Sequence, residues 1–315
     1  MNVVSHWQVF ESAVSDVLVD ETGTTLAAAT TSTFKASKQA YSSDVLAYFN
    51  GTWRTQSGMG PLAFCSGGRA LIARTKKGRE TVSQRFALPA FEPVGEPGMN
   101  MSAVTVGLME ATMVRARYWQ KEVRGGATEV VTVEAARGFL PQLAPAEATM
   151  RACISADGSV ALVEGSQADD TLLGHTTKPC ALRWSIKGGA GLRHTGATVA
   201  LSSKGTRGIA TRSYACPHVI VFGTRSGTVL GDLGEESLGA SVLSWSSGER
   251  VALGWPSGKV WVADLEFASA TAAPVIRQSW TLTLDSEVTA LGFSGDKTKL
   301  AVGTSDGTVS LCDIT

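Results

Sequence analysis

The chain has 315 residues with 28 basic and 28 acidic side chains, 43% hydrophobic residues and 18% charged ones. This share of apolar residues at zero net charge excludes a disordered chain, which stays open because it buries too little apolar area to offset its ordering entropy. Five cysteines with no CxxC pair suit neither a disulfide framework nor a zinc cluster; no apolar run of about 18 residues is present to span a bilayer, and the start MNVVSHWQVFES lacks a signal-peptide pattern. A reducing compartment follows as the expectation, cytoplasmic or alternatively nuclear.

Period-two apolar patterning runs along the chain, and no segment of a dozen residues carries a helical stripe. The short segment His6 to Phe10 alternates and has no partner of its own nearby. Val14 to Thr30 reads VSDVLVDETGTTLAAAT, two strands about a turn, and Asn50-Gly51 between VLAYF and TWRTQ is a two-residue hairpin signal. The same grammar returns in PLAFCSGGRALIA from Pro61, AVTVGLMEATMVRARY from Ala103 and ACISADGSVALVEG from Ala152. It returns again in ATVALSSKGTRGIATRSYACPHVIVFGTRSGTVLGD from Ala197 and SVLSWSSGERVALGWPSGKVWVAD from Ser241. The last unit, VTALGFSGDKTKLAVGTSDGTVSLCD from Val288 to Asp313, is the clearest: three strands separated by two Gly/Asp turns.

First-strand starts near 14, 61, 103, 151, 197, 242 and 288 are spaced by 47, 42, 48, 46, 45 and 46 residues. A period near 45 with four short strands per unit predicts an all-β chain, a single seven-bladed β-propeller of four-stranded antiparallel blades over residues 1–315. The seventh unit ends after its third strand, so residues 5–10 are expected to supply its fourth and close the ring. The SDGTVSLCD ending resembles the WD-repeat family, whose Asp-Gly turn precedes a strand ending in Trp-Asp. Two departures stand out: Cys312 takes the place of that Trp, and the family's Gly-His pair occurs only as Gly174-His175, placed here on the outer strand of blade four. The family's His, Ser, Asp and Trp tetrad is therefore incomplete in most blades.

Catalytic patterns are lacking: there is no GxSxG elbow, no GxxxxGK[ST] phosphate loop and no HExxH helix. His6, His175, His194 and His218 have no ligand spacing, and the lone Cys216/His218 pair falls short of a zinc site. No catalytic, metal or cofactor residue and no small-molecule substrate is expected. Residues 120 to 128 and 136 to 147 read as long connections, the second (ARGFLPQLAPAE) either packing between blades or docking a partner.

Charge is uneven along the chain. Residues 1–68, 69–231 and 232–315 carry net charges of −2, +8 and −6, and residues 171–231 hold eight bases and no acid. In a ring, blades two to five form a basic arc and blades six and seven an acidic one, either as ordinary solvated surface or as a field that steers a partner. The connections between second and third strands open on one face, the top. They bring together Lys38 and Tyr41 with Phe34 and Lys35 from blade one, and Arg74, Lys76, Lys77 and Arg79 from blade two. Arg117 and Trp119 come from blade three, Arg212 and Tyr214 from blade five, Trp255 from blade six and Asp306 from blade seven. Tyr, Trp and Arg concentrate binding energy at interfaces, although Trp255 and Tyr214 could equally pack down as spacers. The resemblance implies a non-catalytic scaffold that binds other proteins within a complex. The alternative is recognition of nucleic acid or phosphate by the basic arc, which would weaken steeply with salt.

Overall fold

The computed structural model describes the backbone of its strands from residue 2 to 313, while 95–103, 122–127, 146–151, 155–159, 165–170, 188–198, 212–217 and shorter connecting stretches, together with residue 315, lie outside the described residues. Side chains are described over 1–30, 44–58, 84–94, 206–211 and 218–314, except 21 and 247, and at a few positions between.

Among the described residues, seven four-stranded sheets follow one another along the chain. Blade one comprises Val14–Val19, Leu26–Thr30, Asp44–Phe49 and Thr52–Ser57; blade two comprises Met59–Cys65, Ala70–Lys77, Glu80–Ala87 and Glu92–Val94. Blade three holds Val104–Met109, Thr112–Lys121, Thr128–Ala135 and Gly138–Pro145, and blade four Ala152–Ile154, Val160–Glu164, Thr171–Thr177 and Cys180–Lys187. Blade five is Val199–Leu201, Arg207–Thr211, Val219–Gly223 and Val229–Asp232, and blade six Val242–Trp245, Arg250–Gly254, Lys259–Glu266 and Val275–Thr283. Blade seven takes Val288–Phe293, Lys299–Thr304 and Thr308–Asp313 from the end of the chain and its fourth strand, Asn2–Gln8, from the start. A separate two-stranded hairpin, Thr33–Lys35 with Ala40–Ser42, stands between the second and third strands of blade one. The chain divides into two compact units: Met1–Asn100 with Ala252–Val262 and Ser279–Thr315, and Met101–Val251 with Ala263–Gln278.

Three expectations change. The closing strand runs from Asn2 to Gln8 rather than 5–10, pairing from Asn2 opposite Asp313 to Gln8 opposite Thr308. Val9 and Phe10 leave the ladder because both amides donate to the carbonyl of Gly307, at 3.2 and 3.1 Å, while the Phe10 side chain enters the core. Gly174-His175 lies on the third strand of blade four, since Cys180–Lys187 forms the outer one, and the ladder is irregular at that pair. The segment read as a long connection at 136–147 contains the outer strand Gly138–Pro145; an outer strand needs no amide donor on its free edge, so Pro141 and Pro145 are tolerated there.

Packing explains the near-continuous apolar middle strands, because a blade is covered on both faces. Leu300, Ala301, Val302, Val309 and Cys312 are fully buried. Burial pushes the Cys312 thiol up to about 12, so it behaves as a small apolar side chain where the WD-repeat pattern has Trp. Adjacent blades in the first unit meet through a glycine on the second strand of one and a valine opening the first strand of the next. Gly254 faces Val288, and Gly303 faces Val14, each so closely that a Cβ on the glycine would collide with the valine side chain. Trp7 of the closing strand packs on Tyr48 and Trp53 of blade one, with ring centroids 4.8 and 5.6 Å away, which ties the chain's beginning to the blade that follows it.

Candidate interaction face

In an antiparallel blade the turn between strands two and three lies at the same end as the entry to strand one. Within the first unit a run of hydrogen bonds joins these ends. The connection after the outer strand of blade six is fixed to the blade-six turn: Leu284 N donates to Gly258 O at 3.0 Å and Val288 N to Trp255 O at 3.1 Å. Ser305 N, in the blade-seven turn, then donates to Glu287 O at 2.9 Å. Gly307 holds the next connection as described, and Ser12 Oγ donates to Thr30 Oγ1 at the end of blade one's second strand. Gly258 and Gly307 have φ of 81° and 89°, and a Cβ at either would run into the carbonyl of Leu284 or Phe10. Only glycine meets both demands, the left-handed backbone and the close approach.

Asp306 sits at the tip of the blade-seven turn and is committed to holding it. Its carboxylate accepts from Thr304 Oγ1 at 2.6 Å, Ser286 Oγ at 2.8 Å and Thr308 N at 3.1 Å. Partial burial pushes this carboxyl up, but the hydrogen bonds from Thr304, Ser286 and Thr308 outweigh it and bring it down to about 2. The turn is also bound to the closing strand: Gln8 Nε2 donates to Asp306 O at 2.6 Å, and Thr308 Oγ1 donates to Gln8 Oε1 at 2.8 Å. Trp255, which opens the blade-six turn as Thr304 opens that of blade seven, is 7% exposed, and the Lys259 ammonium lies 4.7 Å from its ring centroid. The Trp255 ring is thus buried, and the Asp306 carboxylate is hydrogen-bonded within and beside its own turn.

Around these turns the exposed charge is acidic. Glu11, Asp285 and Asp306 are exposed and Glu287 is half-buried. Sequence reading named only Asp306 of this group; the others sit in connections entering a first strand, and only the hydrogen-bonded turns show that the two sets of connections share one end. Blade two, in the same unit, carries the opposite sign, with six bases and two acids over residues 59–94. The sequence from residue 45 to 79 has six bases and no acid, and residues 22 to 43 have Lys35 and Lys38 and no acid.

The remaining predicted residues fall as follows. Tyr41 lies on the return arm of the blade-one hairpin, in register with Phe34, and Lys38 lies outside the described residues. Arg74, Lys76 and Lys77 lie on the second strand of blade two, opposite Ser83, Thr81 and Glu80, so Lys77 alone has an acid across the ladder; Arg79 lies outside the described residues. Arg117 and Trp119 lie on the second strand of blade three, opposite Thr132 and Val130, while Arg212 and Tyr214 lie outside the described residues. Among the described residues no group of three or more His, Cys, Asp or Glu is placed to hold a metal ion, and no helix is long and apolar enough to cross a membrane.

No protein-family model and no curated protein matches this chain. Solved structures do. A chain in the crystal structure of a mitotic checkpoint complex superposes with a TM-score of 0.67 at 10% sequence identity, covering 99% of this chain and 94% of that one. The fold is thereby shown: an all-β, propeller-like architecture of four-stranded antiparallel sheets, with the N-terminal strand completing the C-terminal sheet. In all, 1102 chains of solved structures match, so the fold alone selects no partner.

Proposed function

We propose that this chain is a non-catalytic scaffold that binds other proteins inside a multisubunit assembly, of the WD-repeat kind. Its contact surface is the strand-two-to-three end of blades one and two. One observation carries the reading: within one compact unit the connections at this end of blades six and seven carry Glu11, Asp285, Glu287 and Asp306, whereas the sequence running from Ala70–Lys77 to residue 79 in blade two holds Arg74, Lys76, Lys77 and Arg79, and the blade-one connection holds Lys35 and Lys38. Oriented opposite charge of this kind steers association and fixes the register of docking more than it adds raw affinity. The structural neighbour belongs to a multiprotein complex, which accords with an assembly role, and the reducing compartment expected from the cysteines accords with a cytoplasmic setting.

The test is capture from cell extract with wild type and with the fourfold variant Arg74→Ser, Lys76→Ser, Lys77→Ser and Arg79→Ser. The variant keeps the wild-type far-ultraviolet circular dichroism and recovers specific protein partners at a small fraction of the wild-type yield. Equal recovery contradicts the basic surface. Loss of bound oligonucleotide in place of protein, with a steep salt dependence, replaces this reading by nucleic-acid recognition.

A further inference from the structure

Blades five, six and seven each open their second strand on a base, and blade five uses it differently. In blade seven Lys299 stands opposite Asp313 on the third strand, with Nζ 2.8 Å from the carboxylate. In blade six Arg250 meets Asp264 of the third strand side-on, Nε donating to Oδ1 at 2.6 Å and Nη2 to Oδ2 at 2.9 Å. The residue opposite Arg207 in blade five is Gly223, which offers no carboxylate. Arg207 turns to blade six instead, within the second compact unit. Its Nη1 donates to Glu249 Oε1 at 2.8 Å and its Nη2 to the Ser269 carbonyl at 3.2 Å, while the guanidinium lies 3.9 Å from the Phe267 ring centroid. These contacts hold the connection from 267 to 274, which joins the third and outer strands of blade six, against blade five. The same connection meets blade five again at its far end, where a Cβ on Gly231 would stand 3.0 Å from Pro274 Cδ. Between the two anchors it is a strap of small residues, with Ala268, Ser269, Ala270, Thr271 and Ala273 exposed.

The ion pair that holds the strap is half used. Arg207 Nε and Glu249 Oε2 are both buried without a hydrogen-bond partner, which is costly for atoms of charged groups. The side-on geometry that Arg250 and Asp264 adopt would engage both atoms in a fork of two parallel bonds. That geometry draws Nη2 to the carboxylate, and Nη2 is the nitrogen that holds the Ser269 carbonyl. The two sets of bonds therefore compete for one guanidinium. We propose that Arg207 is a two-position latch on the strap. In the closed position, the one in the structure, it keeps the Ser269 bond and the Phe267 stacking and leaves Nε and Oε2 unpaired. In the open position it binds Glu249 side-on, pairs both atoms and releases residues 267–274 from blade five. A bond to a backbone carbonyl and a cation–π contact stand against two buried atoms of an ion pair, contributions of the same order. Neither position overwhelms the other, so a small bias moves the strap.

The test is native-state digestion of the full chain by elastase, which cuts after small residues. Cleavage between 268 and 273 is read by mass spectrometry, and the melting temperature is measured alongside. Gly223→Asp sets a carboxylate opposite Arg207 as Asp313 stands opposite Lys299, and the site has room for it: the nearest atoms to a Cβ there are Ser226 Oγ at 3.7 Å and Thr228 O at 3.9 Å. This variant draws Arg207 away and speeds cleavage of the strap about tenfold without lowering the melting temperature. Glu249→Gln separates a latch from a static clamp. Whichever way its amide turns, one nitrogen faces a guanidinium nitrogen, so the side-on position is lost and cleavage slows about threefold. In a static clamp the same change only weakens the pair, and cleavage speeds up. Unchanged cleavage in Gly223→Asp, or unchanged or faster cleavage in Glu249→Gln, overturns the proposal. Should Gly223→Asp lower the melting temperature, Glu249→Gln alone decides.

Discussion

The blade-seven turn from Thr304 to Thr308 and the blade-one connection from 31 to 43 occupy the same topological position in the same unit, and they are built in opposite ways. The first is three residues of tight turn whose carboxylate accepts from Thr304, Thr308 and Ser286 and whose Ser305 and Gly307 amides donate to Glu287 and Thr304 carbonyls. The second inserts a hairpin with its own ladder, an aromatic pair and lysines. Position in a propeller therefore says little about role. What distinguishes the two is local construction: the short turn uses its polar groups to join neighbouring connections, whereas the longer connection adds a second ladder of its own.

Substitutions that strike the short turn should cost stability, and those in the hairpin should not. The largest effect is expected for Gly307→Ala, which combines a φ of 89° with a Cβ driven into the Phe10 carbonyl. Strain and overpacking together give about 3 kcal/mol of destabilisation, measured by urea unfolding. Next comes Trp7→Ala, which removes a half-buried ring from the contact with Tyr48 and Trp53; about 2 kcal/mol is expected from lost apolar area and ring contact.

Asp306→Ala follows, at about 1 to 2 kcal/mol for hydrogen bonds to a charged acceptor at an exposed site, and it carries a pH signature. The folded carboxyl sits at about 2, below its ordinary value near 3.9. Its stabilisation is therefore complete above that ordinary value and is lost as pH falls toward 2. Wild type should lose stability relative to the variant across that acid window, and parallel curves would mean that the carboxylate network is not holding the turn. Phe34→Ser/Tyr41→Ser is expected to change stability least, within about 0.5 kcal/mol. A cost comparable with Gly307→Ala would erase the distinction between the two connections and make the hairpin part of the fold.

Much of the architecture was legible because its determinants are local. The Ser305-Asp306-Gly307 and Asn50-Gly51 turns announce themselves, and Asn50 and Gly51 indeed take φ of 46° and 86° at the hairpin between the last two strands of blade one. The alternating start of the chain had no other place than the open edge of blade seven. The misses have physical reasons as well. Arms of three residues in a stretch rich in Ser and Lys give no alternation to read, so the blade-one hairpin looked like a loop. Pro141 and Pro145 argued against a strand that an outer edge permits. Trp255 could be read either way because an aromatic in a turn can face in or out; its ring is buried, with the Lys259 ammonium over it.

Amide hydrogen exchange on the chain alone and in its captured complex separates the two connections. The account predicts new protection at residues 31–43 and 70–82, with the turns at 255–258 and 305–307 already protected in the free chain and unchanged by the partner. Protection that appears only at those short turns, or only at the opposite ends of the blades around 267–274 and 294–298, would contradict it.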